Sequence, residues 1–227
     1  MTYNLPKVIS TSQINTYRHC PRKYFLQYVL KIKTDIKSEA LEMGSRVHAG
    51  ISSRIFKSDI PIEHLMLTRA KAILEMYPPN PILETTYEDP DNPGRIWGNL
   101  HGKRAICVFD FHWSDIPFAG DWKTGKFDPR YVDGFEVQAY ISNELYKEKY
   151  GRPLNGFSFE FLKVGKIYNA TCLVESEKKH EIEETLDQAL ENINLCKFDK
   201  CKGPLCNWCD LIEYCKKDHG LEIMCHL

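Results

Sequence analysis

The 227 residues include 43% apolar side chains and carry a net charge of −1, with 30 Lys and Arg against 31 Asp and Glu. That length fits one large domain, or a domain with a small appendage, and the apolar content is ample for a core. The charge balance excludes a protein that holds nucleic acid through bulk basicity, so any such contact has to be local. No run of eighteen apolar residues reads as a membrane span, and Met1 to Pro6 has neither the charged nor the apolar region of a secretion signal. The expectation is a cytoplasmic protein with no membrane partner.

Ser10 to Tyr28 reads as the first helix, with Ser10 as N-cap and Gln13 three residues later completing a capping box. Ile14, Tyr17, Tyr24, Phe25 and Tyr28 form its buried stripe. The Cys20-Pro21 step removes a hydrogen bond and predicts a kink at Cys20, which taken alone is a small buried hydrophobe. A second helix is expected from Ser38 to Phe56, with Ala40, Leu41, Gly44, Val47, His48, Ile51 and Ile55 on one face, so that His48 points inward. An inward histidine is ordinarily a hydrogen-bonded core residue unless a metal lies beside it. A third helix spans Ile62 to Met76, Glu84 or Glu88 falls on a strand, and Asp89 to Gly94 is loop.

The segment Val108 to Lys126 predicts a hairpin, with Ala105 to Trp113 and Ile116 to Lys123 as its strands. Asp121 and Lys123 are two residues apart and share one face, while Trp122 leaves the other. A carboxylate among Phe118, Ala119 and Trp122 needs a partner to offset its desolvation. Lys123 is one candidate. A divalent cation is another, to which Asp110 on the neighbouring strand adds a second oxygen ligand. Such a cation with an ammonium beside it suits phosphodiester hydrolysis; an exposed Asp-x-Lys pair with no such role would be a solvated ion pair worth under about 1 kcal/mol.

A helix from Asp133 to Tyr150 presents Phe135, Gln138, Ala139, Ser142, Leu145 and Tyr146 inward, where Gln138 either bonds a backbone group or serves a site. Gly156 to Leu162 and Lys166 to Val174 form a second hairpin through Val164-Gly165-Lys166, and Ile182, Leu186, Leu190, Ile193 and Leu195 mark a long amphipathic helix. The pattern predicts an α/β protein with mixed strands flanked by helices. Nine cysteines in a reducing compartment argue for metal or cluster ligation, or buried thiols, before disulfides. Cys206, Cys209 and Cys215 form a C-x2-C-x5-C array, with Cys201, Cys20, His219 and Cys225 as candidates for a fourth ligand.

Ser10-x-Ser12, Cys20-Pro-Arg-Lys-Tyr24, Gly44-Ser-Arg-Val-His48, Asp110, Gly120-Asp-Trp-Lys-Thr-Gly125, a glutamine-bearing helix and the terminal cysteine array occur in that order. Together, over residues 9–216, they resemble the RecB-like nucleases of the PD-(D/E)XK superfamily. The likeness is to the iron–sulfur branch, which includes the AddB nuclease domain and the small CRISPR-adaptation and phage exonucleases. The resemblance implies a restriction-endonuclease-like mixed central sheet flanked by helices, as a single domain over residues 1–227. It also implies a [4Fe–4S] cluster on Cys20, Cys206, Cys209 and Cys215, joining a subregion of residues 9–30 and 200–217 as a clasp between the first helix and the tail, with Cys201 as spare. His48, Asp110, Asp121 and the Trp122 carbonyl become ligands of Mg2+ or Mn2+, and Lys123 the catalytic lysine. The family's Gln-x-x-x-Tyr motif is not matched, since Gln138 is followed by Tyr140 and Ser142; Gln138 on the inward stripe is preferred to Tyr140.

The expected function is that of a metal-dependent DNA exonuclease acting on single strands or ends. Arg22, Lys23, Lys123, Lys126 and Arg130 are candidates for a local basic path, with Tyr140 a weaker DNA-binding candidate. Trp97, Trp113, Trp122 and Trp208 are candidate stacking surfaces, most of them expected in the core. The competing readings are a non-catalytic nucleic-acid-binding or assembly subunit and a zinc-stabilised interaction domain. Beyond DNA, the candidate partners are a second copy of the chain or proteins of recombination, replication or CRISPR adaptation.

Overall fold

The Cys20-Pro21 step does more than bend a helix. In the computed structural model, which describes residues 2–34, 38–84, 93–173, 176–217 and 224–226, Cys20 is fully extended (φ −160°, ψ 105°). It ends α1 (Thr11–His19) and caps α2 (Pro21–Tyr24), which runs on into a π-turn over Phe25–Val29. The single kinked helix expected here is thus two helices, because proline at the first position of α2 forces the residue before it out of helical space. Ser10 caps α1 as read, accepting from the Gln13 N–H at 3.3 Å. The return half of the capping box is missing, since Gln13 Oε1 is buried without a partner among the described residues.

α3 (Glu39–Ser52), capped by Ser38, and α4 (Pro61–Met76) pack on each other. They are tied by Arg46, whose Nε and Nη2 donate to Glu63 Oε1 at 2.9 and 2.6 Å. α3 ends four residues before the expected Phe56, and Leu41 and Ile55, placed on its inward stripe, are exposed. Val47 and Ile51 are the buried pair.

Among the described residues the strands form three sheets. β1 (Thr2–Asn4) pairs in parallel with β10 (Met224–His226). β2 (Ile9–Ser10), β5 (Lys103–Val108) and β4 (Arg95–Leu100) stand side by side in that order. The third sheet runs β3 (Ile82–Leu83), β6 (Phe111–His112), β7 (Phe118–Lys123), β8 (Gly156–Phe161) and β9 (Lys166–Asn169). The expected hairpin of Ala105–Trp113 on Ile116–Lys123 is reduced to two residue pairs, Phe111 with Gly120 and His112 with Ala119. The first strand breaks at Phe109–Asp110 and its earlier half pairs with β4 instead. The sequence pattern does not predict that β4–β5 hairpin. Its two-residue turn is His101 (φ 48°) and Gly102 (φ 81°), closed by Asn99 Oδ1 accepting from the Gly102 N–H at 2.8 Å. The strand expected to reach Val174 stops at Asn169.

β7 is the middle strand of the third sheet. It reaches its parallel neighbour β8 through α5 (Val132–Tyr150), a crossover that lays the helix across β4 and β5. α5 and α6 (Glu177–Asn194) join α1 over one core, with Tyr24, Phe109, Phe157 and Phe159 among its fully buried rings. A second core, of α3, α4, Phe111, Trp113, Trp122 and Leu162, gathers the side chains that β7 sends the other way. Gly120 is required there, because a Cβ at that position would stand 2.1 Å from the Phe111 ring. α7 (Ile212–Lys217) closes the tail.

Candidate functional site

Three short segments meet where the strand breaks. Asp121 and Lys123 leave β7 on the face opposite Trp122, as strand alternation requires, and Lys123 Nζ lies 2.6 Å from Asp121 Oδ1. From α5, Gln138 clasps both: its Nε2 donates to Asp121 Oδ2 at 2.5 Å and its Oε1 accepts from Lys123 Nζ at 3.3 Å. Asp110 sits at the break itself. Its Oδ2 accepts the Trp122 N–H at 2.5 Å, so a side chain takes the place of a ladder partner.

His48 approaches from α3. Its Nδ1 lies 3.1 Å from Glu84 Oε1 and 3.5 Å from Asp110 Oδ1, and its Nε2 lies 3.1 Å from the Trp122 carbonyl. Both ring nitrogens therefore face acceptors. Burial disfavours the imidazolium, but the Asp110 and Glu84 carboxylates outweigh it and hold the His48 pKa well above the ordinary histidine value. Burial likewise pushes the Asp110 and Asp121 carboxyls up, with His48 and Lys123 respectively pulling them back. Counted formally, Glu84, Asp110 and Asp121 bring three negative charges against the positive charges of His48 and Lys123. One negative charge is left over in a largely desolvated place.

His48, Glu84 and Asp110 offer donor atoms that all lie within 4.8 Å of one another, and these three could bind one metal ion. Neighbouring donors in an octahedral site with bonds near 2.1 Å are about 3 Å apart, close to the 3.1 and 3.5 Å that separate His48 Nδ1 from Glu84 Oε1 and Asp110 Oδ1. The hard oxygens with one imidazole suit Mg2+ or Mn2+. The sequence marks Glu84 only as a strand candidate. It follows β3 directly, and its N–H donates to the Asp110 carbonyl at 3.1 Å; what brings its carboxylate to His48 is this long-range pairing, which no local pattern signals.

Asp110, Asp121, Lys123 and Gln138 share a cleft of about 500 Å³ with Ser12, Asn15, Thr16 and His19 from α1 and with Ile106 and Val108 from β5. The other residues singled out from the sequence lie elsewhere. Tyr140, read as off the buried stripe, is 3% exposed and its hydroxyl donates to Glu183 at 3.1 Å. Arg22 is buried over the Phe25 ring rather than on a basic path. Lys23 pairs with Asp210 at 2.8 Å and Arg130 with Asp128 at 2.6 Å, while Lys126 is exposed on the loop after β7. Trp113 and Trp122 are core, and Trp97 and Trp208 are exposed.

A second cavity, of about 730 Å³, lies between α2 and the tail. Cys20, Cys201, Cys206, Cys209 and Cys215 line it together with Lys23, Lys200, Lys202 and Lys216. Cys20 Sγ accepts from the Lys23 N–H at 3.4 Å. No three of these sulfurs come within 4.8 Å of one another among the described residues. Cys196 is disulfide-bonded, against the expectation that ligation or free thiols come before disulfides. Glu88 and His219 lie outside the described residues, as does the side chain of Cys225.

Residues 8–90 match the family model of the PD-(D/E)XK nuclease superfamily. That stretch holds Cys20, His48 and Glu84 and ends before Asp110, Asp121 and Lys123. No curated protein matches the chain. Among the described residues no helix is long and apolar enough to cross a membrane.

Proposed function

We propose that the protein is a Mg2+- or Mn2+-dependent deoxyribonuclease, an exonuclease of the RecB-like kind acting on single-stranded DNA or ends. In this reading the chain forms one nuclease domain. The observation that carries it is the meeting of a His–Glu–Asp basket with an Asp–Lys–Gln ring at one strand break. A solvated Asp-x-Lys pair would not place its carboxylate 12% exposed, held at both oxygens. A binding module has no use for two carboxylates gathered on one imidazole.

His48, Glu84 and Asp110, with Asp121 and the Trp122 carbonyl beside them, would hold the divalent ion, which would supply Lewis acidity toward water and phosphate. Lys123 has its ammonium steered by Asp121 and Gln138, and so stands ready to offset charge on the phosphoryl group and to orient the attacking water by donating a hydrogen bond to its oxygen. Gln138 fixes the distance between Asp121 and Lys123 by holding one with its amide N–H and the other with its carbonyl.

The five-cysteine cavity supports a [4Fe–4S] cluster on Cys20, Cys206, Cys209 and Cys215, with Cys201 as spare. Tetrahedral zinc with bonds of 2.3 Å needs sulfurs about 3.8 Å apart, tighter than any three of these are. A polynuclear cluster, with one cysteine per iron, holds its ligands farther apart. The lining lysines and the Lys23 N–H on Cys20 Sγ suit an anionic cluster.

Anaerobic purification followed by digestion of a labelled single strand with Mn2+, Mg2+ or chelator tests the reading. Wild type is expected to be brown, with chelator-sensitive products, and Asp121→Ala and Lys123→Ala to be folded and inactive. Robust cutting by either variant, or no cutting by wild type with either metal, overturns it.

A further inference from the structure

The β4–β5 hairpin carries a feature that the catalytic groups do not use. Its inner face is apolar, with Ile96, Leu100 and Ala105 buried and α5 packed against both strands. On its outer face Trp97 is 44% exposed, and the Arg104 guanidinium lies 4.8 Å over its ring. Trp97 stands directly opposite Ile106 across the ladder, so the two leave the hairpin on the same side, and Arg104 and Val108 follow Ile106 on that side by strand alternation. Ile106 and Val108 line the cleft that holds Asp110, Asp121 and Lys123. The face bearing the Trp97–Arg104 pair therefore runs into the proposed active cleft. Ile106 is four residues from Asp110, about 13 Å along an extended chain.

We infer that this face is a docking platform for single-stranded DNA, feeding an unpaired strand into the cleft. The inference rests on the nuclease reading for its destination. The chemistry fits one occupant. An exposed indole offers a π-face to a base, which only an unpaired strand presents, and the guanidinium braces the ring and meets the backbone phosphate. In a chain of net charge −1 such a contact has to be local, as here.

The experiment measures anisotropy of a labelled oligothymidylate and of a duplex of equal length, in chelator so that nothing is cut. Trp97→Ala is expected to weaken single-strand binding on the order of tenfold, with Trp97→Phe restoring most of it and the duplex unaffected. Arg104→Ala should reduce the slope of log affinity against log salt by about 0.7. A Trp97→Ala protein with wild-type melting temperature and wild-type single-strand affinity overturns the platform, and so does an equal loss on both substrates. Cleavage with Mn2+ is scored separately. An inactive wild type that still loses single-strand binding on Trp97→Ala refutes the nuclease reading and leaves the platform standing.

Discussion

Replacing Glu84 by Gln tests the reading of the His48 basket most directly. In the protein as it stands, both nitrogens of His48 face acceptors and its pKa is held well above 6.5 by Asp110 and Glu84. A divalent cation that takes a ring nitrogen has to expel that proton. The exchange adds two charges and removes one, which brings the formal sum of Glu84, Asp110, Asp121 and Lys123 with the ion to zero. Below the raised His48 pKa, each unit of pH then costs about 1.4 kcal/mol of binding, a tenfold loss of affinity. Titration calorimetry with Mn2+ at pH 6 to 8, in two buffers of different ionisation enthalpy, counts the proton. Glu84→Gln removes one oxygen donor and one anion. It should weaken Mn2+ on the order of ten- to a hundredfold or more, and move the pH at which affinity levels off downward. Binding of Mn2+ by Glu84→Gln as tight as by wild type, or wild-type binding with no proton released and no pH dependence, refutes the argument.

Gln138→Ala removes the amide that holds Asp121 and Lys123 in place and is expected to lower kcat on the order of tenfold or more with little change in melting temperature, whereas Tyr140→Phe keeps kcat and costs about 1 kcal/mol of stability through the lost bond to Glu183; steady-state rates and thermal melts of the two separate them. His112 is buried, and its pKa is lowered to about 4 by that burial and by the Lys149 charge. The unfolded chain takes its proton near pH 6.5 while the folded one does not until about 4, so this contribution is complete above pH 6.5 and fades as pH falls. Denaturant unfolding of wild type against His112→Gln should show wild type losing about 2 kcal/mol more between pH 7 and 5, and parallel curves would refute the assignment.

What could be read locally from the sequence was read correctly where the cause is local. Ser10 caps its helix, Asp121 and Lys123 share a face because strands alternate, and Trp122 goes to the opposite core. The misread strands around the site originate in pairing partners far along the chain. The segment from Lys103 to His112 has one strand-like pattern but two sets of partners, β2 and β4 for its first half and β3 and β7 for its second, and the change of partners is what places Asp110. The β4 strand was overlooked because Gly98 interrupts its pattern; Gly98 is there because a Cβ would meet the Glu148 carboxylate at 2.5 Å and Leu145 at 2.8 Å. Tyr140 was misplaced because α5 is buried on most of its circumference, between the strands on one side and α1 and α6 on the other, so no single stripe describes it.

The Trp122 peptide is where fold and chemistry meet. Its N–H goes to Asp110 and its carbonyl to His48, so one planar unit joins the residue at the strand break to the residue from α3. The indole on the far side packs against Phe111 at 4.5 Å between ring centres, and Phe111 in turn lies across Gly120. The peptide is thereby fixed from the back of the sheet by close packing, which tolerates little displacement. Asp121 and Lys123, one residue to either side, inherit that position and need only Gln138 to set their separation. A site whose parts come from α3, the residue after β3, the strand break, β7 and α5 can therefore take its geometry from one fixed peptide. That is the rigidity a lysine steered by a carboxylate needs in order to meet a phosphoryl group presented in the cleft.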